Sequence, residues 1–192
     1  MRTLLGVSQA IDAILGVIAK VFGWCFLLMV IVICFDVITR KIGFQLVLGD
    51  IDLGSTRLQE LEWHLHAALF LTWIGYCYVR NAHVRIDVFT SGLSQRAQAW
   101  LEVIGCLIFA LPYVWVALPY AWDFFVLSFQ QGEASSAPNG LPARYIIKFF
   151  LFFGFASVLA SVISVFLRRI AFLFGSPEVA QLALPSSQAP AH

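Results

Sequence analysis

Charged side chains are scarce in this sequence, and apolar ones dominate it. Only 12% of the 192 residues are charged, whereas 60% are hydrophobic, and the mean hydropathy is +0.86. Soluble domains carry about twice that charged fraction, so the composition excludes an ordinary soluble domain. Twelve Lys and Arg residues against eleven Asp and Glu give a net charge of +1, which predicts no basic face for nucleic acid or anionic lipid. The sequence predicts a membrane protein.

Paired cysteines and internal repeats are also missing. The four cysteines lie inside apolar runs without a C-x-x-C pair: Cys25, Cys34, Cys77 and Cys106. This pattern predicts reduced packing residues and argues against a thiol oxidoreductase. No repeat of the kind that builds two transporter half-sites is found. Ser8, Gln9 and Asp12 interrupt the first apolar run, so we expect an uncleaved anchor and not a signal peptide.

Four apolar segments are long enough, or nearly so, to cross a membrane. A spanning helix needs about 20 mostly apolar residues. The predicted spans cover about 13–38, 62–79, 97–127 and 145–167. The fold prediction is an all-α membrane protein whose domain covers residues 1–174 and has four transmembrane helices plus a short interfacial amphipathic helix after the second span. A Pro-, Ser- and Ala-rich tail over 175–192 is predicted to be disordered.

Local signals refine the third span. Ser94 is predicted to cap its start, because a serine hydroxyl can accept from the first free amides of a helix. Pro112 and Pro119 predict a bend, because each removes a helical hydrogen bond. Gly75, Gly105 and Gly154 are candidates for close contacts between helices.

The distribution of positive charge favours cytoplasmic termini. With both termini inside, the cytoplasmic side holds seven cations: Arg2, Lys20, Arg80, Arg85, Arg96, Arg168 and Arg169. The opposite side holds five: Arg40, Lys41, Arg57, Arg144 and Lys148. Cytoplasmic loops carry an excess of Lys and Arg, so seven against five favours this orientation.

The stretch "RLQELEWHLHAALFLTW" alternates glutamates and histidines before the second span. Residues four apart share a helix face, so Glu60 pairs with His64 and Glu62 with His66 on nearly opposite sides. A zinc site needs at least three protein ligands and each face offers two. The sequence therefore predicts an interfacial first turn here and no metal.

No cofactor is predicted either. The histidines are His64, His66, His83 and His192, and none falls within the first, third or fourth span. A haem held between two helices would therefore lack its second histidine ligand.

Four ionisable residues lie within or near the predicted spans: Lys20, Asp36, Glu102 and Asp123. Asp36 and Arg40 are four apart and are predicted to pair inside the membrane. Lys20 can extend to the interface, and Glu102 and Asp123 lie toward span ends. No series of acids crosses the membrane, which argues against an ion path through this chain alone.

Three ordered fragments resemble a known family. "LQELEWHLH" precedes the second span, "HVRIDVF" follows it, and "GEASSAPNGLPARYIIKFFLFFGF" leads into the fourth. Together they resemble the DctQ-like small membrane subunit of tripartite ATP-independent periplasmic (TRAP) transporters, over roughly residues 10–170. The resemblance implies a bacterial inner-membrane scaffold without enzymatic activity. It would serve a sodium-coupled transporter of organic anions, chiefly carboxylates.

The resemblance also implies two protein partners, in addition to membrane lipid. The chain would brace a large membrane subunit and help dock a periplasmic substrate-binding protein. Expected anchors to the large subunit or to headgroups are Glu62, Trp63, His66, His83, Arg85 and Asp87. The expected docking loop for the binding protein contains Glu133, Gly140, Leu141 and Pro142. Two alternatives stay open: a membrane redox or enzyme subunit, and a small homodimeric transporter that works alone.

Overall fold

A computed structural model describes residues 1–42, 47–48, 51–52, 55–82, 90 and 92–183. The elements are α1 Arg2–Ile42, β1 Val47–Leu48, β2 Ile51–Asp52, α2 Ser55–Val79, α3 Gln95–Gly105, a π-helical turn Cys106–Ala110, α4 Leu111–Gln130, α5 Tyr145–Phe174 and α6 Pro177–Ala183. The two short strands pair antiparallel. The described part of the chain is therefore almost entirely helical.

Three of the four predicted spans are found among the described helices. Arg2–Ile42, Gln95–Gln130 and Tyr145–Phe174 are long and apolar enough to cross a membrane. The second predicted span lies in α2, which has 25 residues but does not meet the same criterion. Its first part carries Arg57, the two glutamates and the two histidines, so its composition, not its length, sets it apart.

The chain divides into two compact units, and every long helix contributes to one or both. Unit 1 comprises Met1–Gly16, Gly75–Val116 and Ser157–His192. Unit 2 comprises Val17–Ile74 and Ala117–Ala156. Each unit therefore combines parts of α1, α2 and α5 with part of the helical stretch between Gln95 and Gln130. The two units are described separately below.

Unit 1 is held together by three small apolar clusters. In one, Leu15 of α1, Val79 of α2 and Val165 of α5 pack together. In another, Ala99 and Val103 of α3 pack against Leu173 of α5. The third joins Leu5 to Ala171, Val179 and Ala183. α5 contributes to all three, so it is the central helix of this unit.

Unit 2 is held together chiefly by aromatic rings. Trp122, Phe125 and Phe129 lie along one face of α4 and contact Phe152, Phe149 and Tyr145 of α5, respectively, with ring centroids 5.0 to 5.4 Å apart. These are edge-to-face contacts, which add to the stabilisation from burial alone. The indole nitrogen of Trp73 donates to the carbonyl oxygen of Ala19 at 2.8 Å, which joins α2 to α1.

Two of the three glycines predicted to allow close packing do so. A Cβ at Gly75 would lie 2.6 Å from the backbone oxygen of Ser157 in α5. A Cβ at Gly154 would lie 2.9 Å from a side-chain carbon of Leu71. Gly105 has nothing of this chain within 4 Å of the equivalent position, so it makes no such contact among the described residues.

The start and the middle of the third span follow local chemistry. Ser94 caps α3 by accepting a hydrogen bond from the amide of Ala97 at 3.3 Å, which confirms the predicted cap. The π-helical turn Cys106–Ala110 ends two residues before Pro112, and the amide of Leu111 donates to the carbonyl of Cys106. Pro112 has no amide hydrogen and cannot donate a helical hydrogen bond. A wide turn just before it is consistent with that missing bond.

The C-terminal segment is more ordered than the sequence predicted. Residues 177–183, within the predicted disordered tail, form α6, and its Val179 and Ala183 are buried against unit 1. Arg2 and Glu178 form an exposed ion pair at 3.0 Å. The apolar side chains of this short helix explain the difference, because they pack with Leu5 and Ala171. Composition alone does not predict that contact. The remainder of that tail, 184–192, lies outside the described residues.

Candidate functional site

The loop between α4 and α5, residues 131–144, is closed by its own backbone hydrogen bonds. The amide of Ser135 donates to the carbonyl of Leu141 at 3.0 Å, and the amide of Arg144 donates to that of Glu133 at 2.9 Å. Gly132 and Ala143 have φ values of +57° and +63°. Since Ala143 is not a glycine, its left-handed conformation is held in place by the surrounding contacts.

Glu60 of α2 fixes this loop from the side. Its carboxylate accepts hydrogen bonds from the hydroxyl of Ser135 and from the amide of Leu141, the latter at 2.6 Å. A side chain at Gly140 would collide with Ser135 and approach Glu60, so this position requires a glycine. Nearby, Arg57 donates to the carbonyl of Asn139 at 3.2 Å. The Ser135 hydrogen bond, followed by that of Leu141, lowers the pKa of Glu60.

Glu133 fixes the other end of the loop. It forms an ion pair with Lys148 of α5 and accepts from the hydroxyl of Ser128 at 2.7 Å. These two contacts, that of Lys148 first, lower the pKa of Glu133. The Lys148 ammonium also lies 3.8 Å from the centre of the Phe124 ring. The loop is thus tied to α2, α4 and α5 by charged groups.

A cavity of about 490 Å³ lies beside the loop, within unit 2. Its lining comprises the apolar Leu71, Phe124, Ile147 and Leu151 and the more polar Trp63, Glu133, Arg144 and Lys148. The Arg144 guanidinium lies 5.8 Å from the centre of the Trp63 ring, which is a cation–π contact. The cavity therefore has a cationic edge and an apolar wall.

The four residues of the predicted docking loop have two kinds of position. Glu133, Gly140 and Leu141 are half-buried and make the contacts that shape the loop. Pro142 is exposed. The other exposed positions of this loop include Ser136, Pro138 and Asn139, which were not among the predicted docking residues. A protein that docks on the loop would meet these side chains first.

Three of the six predicted anchors can be placed. Glu62 is half-buried, and its Oε1 is shielded without a hydrogen-bond partner among the described residues. Trp63 is 38% exposed and stacks on His64 at 3.8 Å. His66 is exposed. The other three predicted anchors, His83, Arg85 and Asp87, lie outside the described residues.

The two i to i+4 pairs at the start of α2 do not assemble a ligand set. His64 uses Nδ1 to donate to the backbone carbonyl of Glu60 at 2.6 Å, while the Glu60 carboxylate turns to the loop. In the part of the chain that the structure describes, no group of three or more His, Cys, Asp or Glu side chains is arranged to hold a metal ion.

Asp36 and Arg40 form an ion pair near the end of α1. Asp36 is 2% exposed, while more than half of the Arg40 side chain is exposed. The second carboxylate oxygen of Asp36, Oδ1, has no described partner. A four-residue helical spacing brings these two side chains together, as the sequence predicted.

A polar contact that the sequence did not indicate joins α1 to α5 in unit 1. Arg168 forms an ion pair with Asp12, and about a quarter or less of either side chain is exposed. The hydroxyl of Ser164 donates to the other oxygen of Asp12 at 2.5 Å. The hydroxyl of Ser8 lies 2.8 Å from that of Ser164, and both serines are buried. Asp12 and Arg168 are 156 residues apart, so no local sequence pattern indicates that they pair.

A second such contact joins α3 to α5. Arg169 forms an ion pair with Glu102, and 13% of each side chain is exposed. Arg168 and Arg169 are adjacent on α5 and therefore reach different neighbouring helices. The sequence singled out Glu102 as an ionisable residue toward a span end but did not identify Arg169 as its partner.

The face of α4 opposite the aromatic contacts is exposed. Tyr120, Asp123 and Leu127 follow one another at helical spacing on this face, with Tyr120 72% and Leu127 54% exposed. Asp123 lies seven residues before the end of the candidate span Gln95–Gln130, which is about 10 Å along a helix. A carboxylate is therefore presented outward from a helix otherwise suited to lipid.

Comparison with known families decides what kind of protein carries these features. A family model described as "Tripartite ATP-independent periplasmic transporters, DctQ component" matches residues 29–172. The chain belongs to the DctQ family. The matched range includes α2, the 131–144 loop, the outward face of α4 and nearly all of α5. No curated protein and no solved structure matches the chain.

Membership in the DctQ family makes this chain the small membrane component of a tripartite transporter. The family consists of transporter components and is not an enzyme family, and its tripartite nature implies further subunits. The three apolar helices fit a membrane-embedded component. The resemblance noted in the sequence is therefore confirmed, and the redox or enzyme alternative is not supported.

The hydrogen bonds that Ser135 and Leu141 donate to Glu60 give a prediction that can be tested without another subunit. Glu60→Gln is expected to weaken loop attachment by about 1 to 2 kcal/mol, because charge-assisted hydrogen bonds become neutral ones near a solvent-accessible surface. Hydrogen exchange in peptides that cover residues 131–144 should then become about 5 to 30 times faster at pH 7. Glu178→Gln, which changes an exposed glutamate elsewhere, is the matched control and should leave this exchange unchanged.

The contribution of the Glu60 carboxylate to loop attachment should decrease at low pH. The folded-state pKa of Glu60 lies below the ordinary value of 4.5, so its contribution is complete above that value and disappears as the pH falls through the lowered pKa. Exchange in the loop, corrected for its intrinsic pH dependence, should be constant from pH 7 to 5 and rise only below 4.5. A rise already near pH 6 in the wild-type chain would contradict the assignment.

Proposed function

We propose that the chain is a static scaffold for the large membrane subunit of a sodium-coupled transporter of organic anions, and that it helps to dock the periplasmic binding protein. The outward face of α4 is the observation that carries this proposal. A carboxylate exposed to hydrocarbon is costly, and such residues generally face a partner or a water-filled space. Asp123 is therefore explained by a neighbouring membrane helix that offers a cation or hydrogen-bond donors.

A scaffold role is also supported by how the other charges are used. Asp12, Asp36 and Glu102 each pair with an arginine of this same chain. Two of these pairs, Asp12 with Arg168 and Glu102 with Arg169, fix helices against each other, and all three occupy acids that could otherwise take part in ion movement. Sodium and substrate would accordingly pass through the large subunit, which is where we place specificity for carboxylates.

The docking role rests on the 131–144 loop. Its backbone hydrogen bonds and its two glutamate contacts hold it in one conformation, so a partner would lose little entropy in ordering it. The exposed Ser136, Pro138, Asn139 and Pro142 provide the surface. Cross-linkers placed at Asn139 should therefore reach the binding protein, whereas silence from several such positions would count against docking here.

We further propose that α2 crosses the bacterial inner membrane as a fourth span. α2 contacts α1 and α5 within unit 1 through Val79 and contacts the same two helices within unit 2 through Trp73 and Leu71. Four spans return the C-terminus to the side of the N-terminus. The charge distribution favours the cytoplasm for both, which puts the 131–144 loop in the periplasm.

Removal of the Asp123 carboxylate tests the scaffold proposal. Asp123→Leu is expected to lower the affinity of the chain for the large subunit at least tenfold, about 1.4 kcal/mol, because the partner's donor is left unpaired in the membrane. The measurement is co-purification of the complex across a detergent dilution series. Glu178→Gln is again the control, because it removes an exposed acid outside the spans.

The stability of the separate chain distinguishes the two outcomes for Asp123. If Asp123 faces lipid alone, the leucine should stabilise the chain and leave the complex intact, which would contradict the proposal.

Uptake by liposomes that contain this chain alone would support a self-sufficient transporter instead. Full uptake only when the large subunit and the binding protein are both present is the expected result.

A further inference from the structure

The cavity beside the 131–144 loop has an unbalanced charge at its edge. Glu133 forms its ion pair with Lys148, whereas Arg144 forms no ion pair among the described residues and interacts with Glu133 and Glu60 only at longer range. The Arg144 guanidinium contacts the face of the Trp63 ring, which leaves its hydrogen-bond donors directed elsewhere. α5 begins at Tyr145, directly after Arg144, and the positive end of its dipole adds to the same potential. This edge therefore attracts an anion.

The opposite wall of the same cavity is apolar and runs along the membrane helices. Leu71, Ile147 and Leu151 line it, and Ile147 and Leu151 are one helical turn apart on α5. Leu151 lies six residues inside α5, about 9 Å from its start. An occupant that satisfies both parts needs an anionic end near the loop and an apolar end that follows α5 into the membrane.

We propose that this cavity binds one membrane phospholipid, with the phosphodiester between Arg144 and Lys148 and one acyl chain along Leu71 and Leu151. A guanidinium matches phosphate oxygens with two parallel donors, and the neighbouring ammonium adds a second point of charge. A small water-soluble carboxylate would leave the apolar wall uncovered. The cavity volume of about 490 Å³ is within the range of ligand sites.

The lipid site is independent of the proposed scaffold function. It needs only residues of unit 2, whereas the scaffold proposal depends on the outward face of α4 and a second protein. A bound lipid would also contact Trp63 and the base of the loop that Glu133 and Glu60 hold. The site thus links the membrane surface to the conformation of the loop.

Native mass spectrometry of the full chain tests the proposal with five probes. Phosphatidylglycerol should bind with one tight site, and phosphatidylethanolamine should compete with it because both carry the phosphodiester. Diacylglycerol, which lacks the phosphate, and inorganic phosphate, which lacks the acyl chains, should each bind at least tenfold more weakly. If palmitate or diacylglycerol binds as tightly as phosphatidylglycerol, or if inorganic phosphate alone saturates the site, the proposal is overturned.

Two variants locate the site. Arg144→Gln should weaken phosphatidylglycerol binding about tenfold, because it replaces a charge-assisted contact with a neutral one. Leu151→Trp fills the apolar wall, leaves both cations in place and should abolish the tight site. Lys41→Gln removes an equal charge from the exposed end of α1 and is the control. Wild-type binding in either folded cavity variant, judged by an unchanged melting temperature, would overturn the proposal.

Discussion

Arg168→Leu is expected to lower the free energy of unfolding by about 3 kcal/mol. The change leaves the Asp12 carboxylate at a helix contact without its ion-pair partner, and breaking a buried pair on one side costs about 3 to 5 kcal/mol. Both side chains keep some exposure, 19% for Arg168 and 27% for Asp12, so the lower end of that range applies. The measurement is reversible unfolding of the purified chain in mixed detergent.

The exposed pair at the same end of α1 supplies the control. Arg2 and Glu178 are 80% and 76% exposed, and such surface pairs contribute about 0 to 1 kcal/mol. Arg2→Gln should therefore change the stability little. The double variant Asp12→Leu with Arg168→Leu should recover most of the loss, because no charge is then left alone. Equal costs for Arg168→Leu and Arg2→Gln would mean that the Asp12 contact contributes no more than a surface pair.

The second large effect is expected at Gly75. Gly75→Ala should lower the unfolding free energy by about 2 kcal/mol, because the new Cβ would lie 2.6 Å from the backbone oxygen of Ser157. A backbone atom within a helix cannot turn away as a side chain can. The two helices must then separate, and the contacts of unit 1 near Tyr76 and Val79 would loosen with them.

Gly105→Ala is the matched control for this prediction. Position 105 is helical and has nothing within 4 Å of the added carbon, so the alanine should stabilise the chain by up to about 1 kcal/mol. The two substitutions add the same methyl group and should differ by about 3 kcal/mol. Two variants with equal melting temperatures would show that α2 and α5 are not in close contact at Gly75.

The sequence predicted the long helices because apolar composition alone determines them. The predicted spans over 97–127 and 145–167 correspond to the observed Gln95–Gln130 and Tyr145–Phe174. α1 begins at Arg2, well before the predicted 13, because Ser8 and Asp12 interrupt the apolar run without interrupting the helix. Their polar groups bond to α5, and hydropathy contains no information about such partners.

The second span shows the limit of the same reasoning. α2 is a helix over the whole predicted range, yet its histidines, tryptophans and tyrosines keep it below the level at which composition alone identifies a membrane helix. What distinguishes α2 is its contacts with α1 and α5. Those contacts depend on one indole hydrogen bond and on which helix Gly75 meets, and no local pattern predicts either of these.

The candidate site was predicted in part. Glu133, Gly140, Leu141 and Pro142 were chosen as one loop, and the structure brings three of them into its internal contacts. Glu60 was considered only as a neighbour of His64, whereas its carboxylate reaches a loop 81 residues away. Helical spacing predicts which residues share a face but does not predict what that face meets.

The pairing of Asp12 with Arg168 also has a consequence for synthesis. At the ordinary rate of translation, the 156 residues between them take roughly 8 to 30 s to make. Buried hydroxyls such as those of Thr72 and Ser161 bond to carbonyls of their own helix and are satisfied as soon as that helix forms. Asp12 instead accepts hydrogen bonds from Ser164 and Arg168 of α5, so it gains these donors only with the last long helix. A nascent chain released before α5 would therefore lack both donors to the Asp12 carboxylate of its first helix.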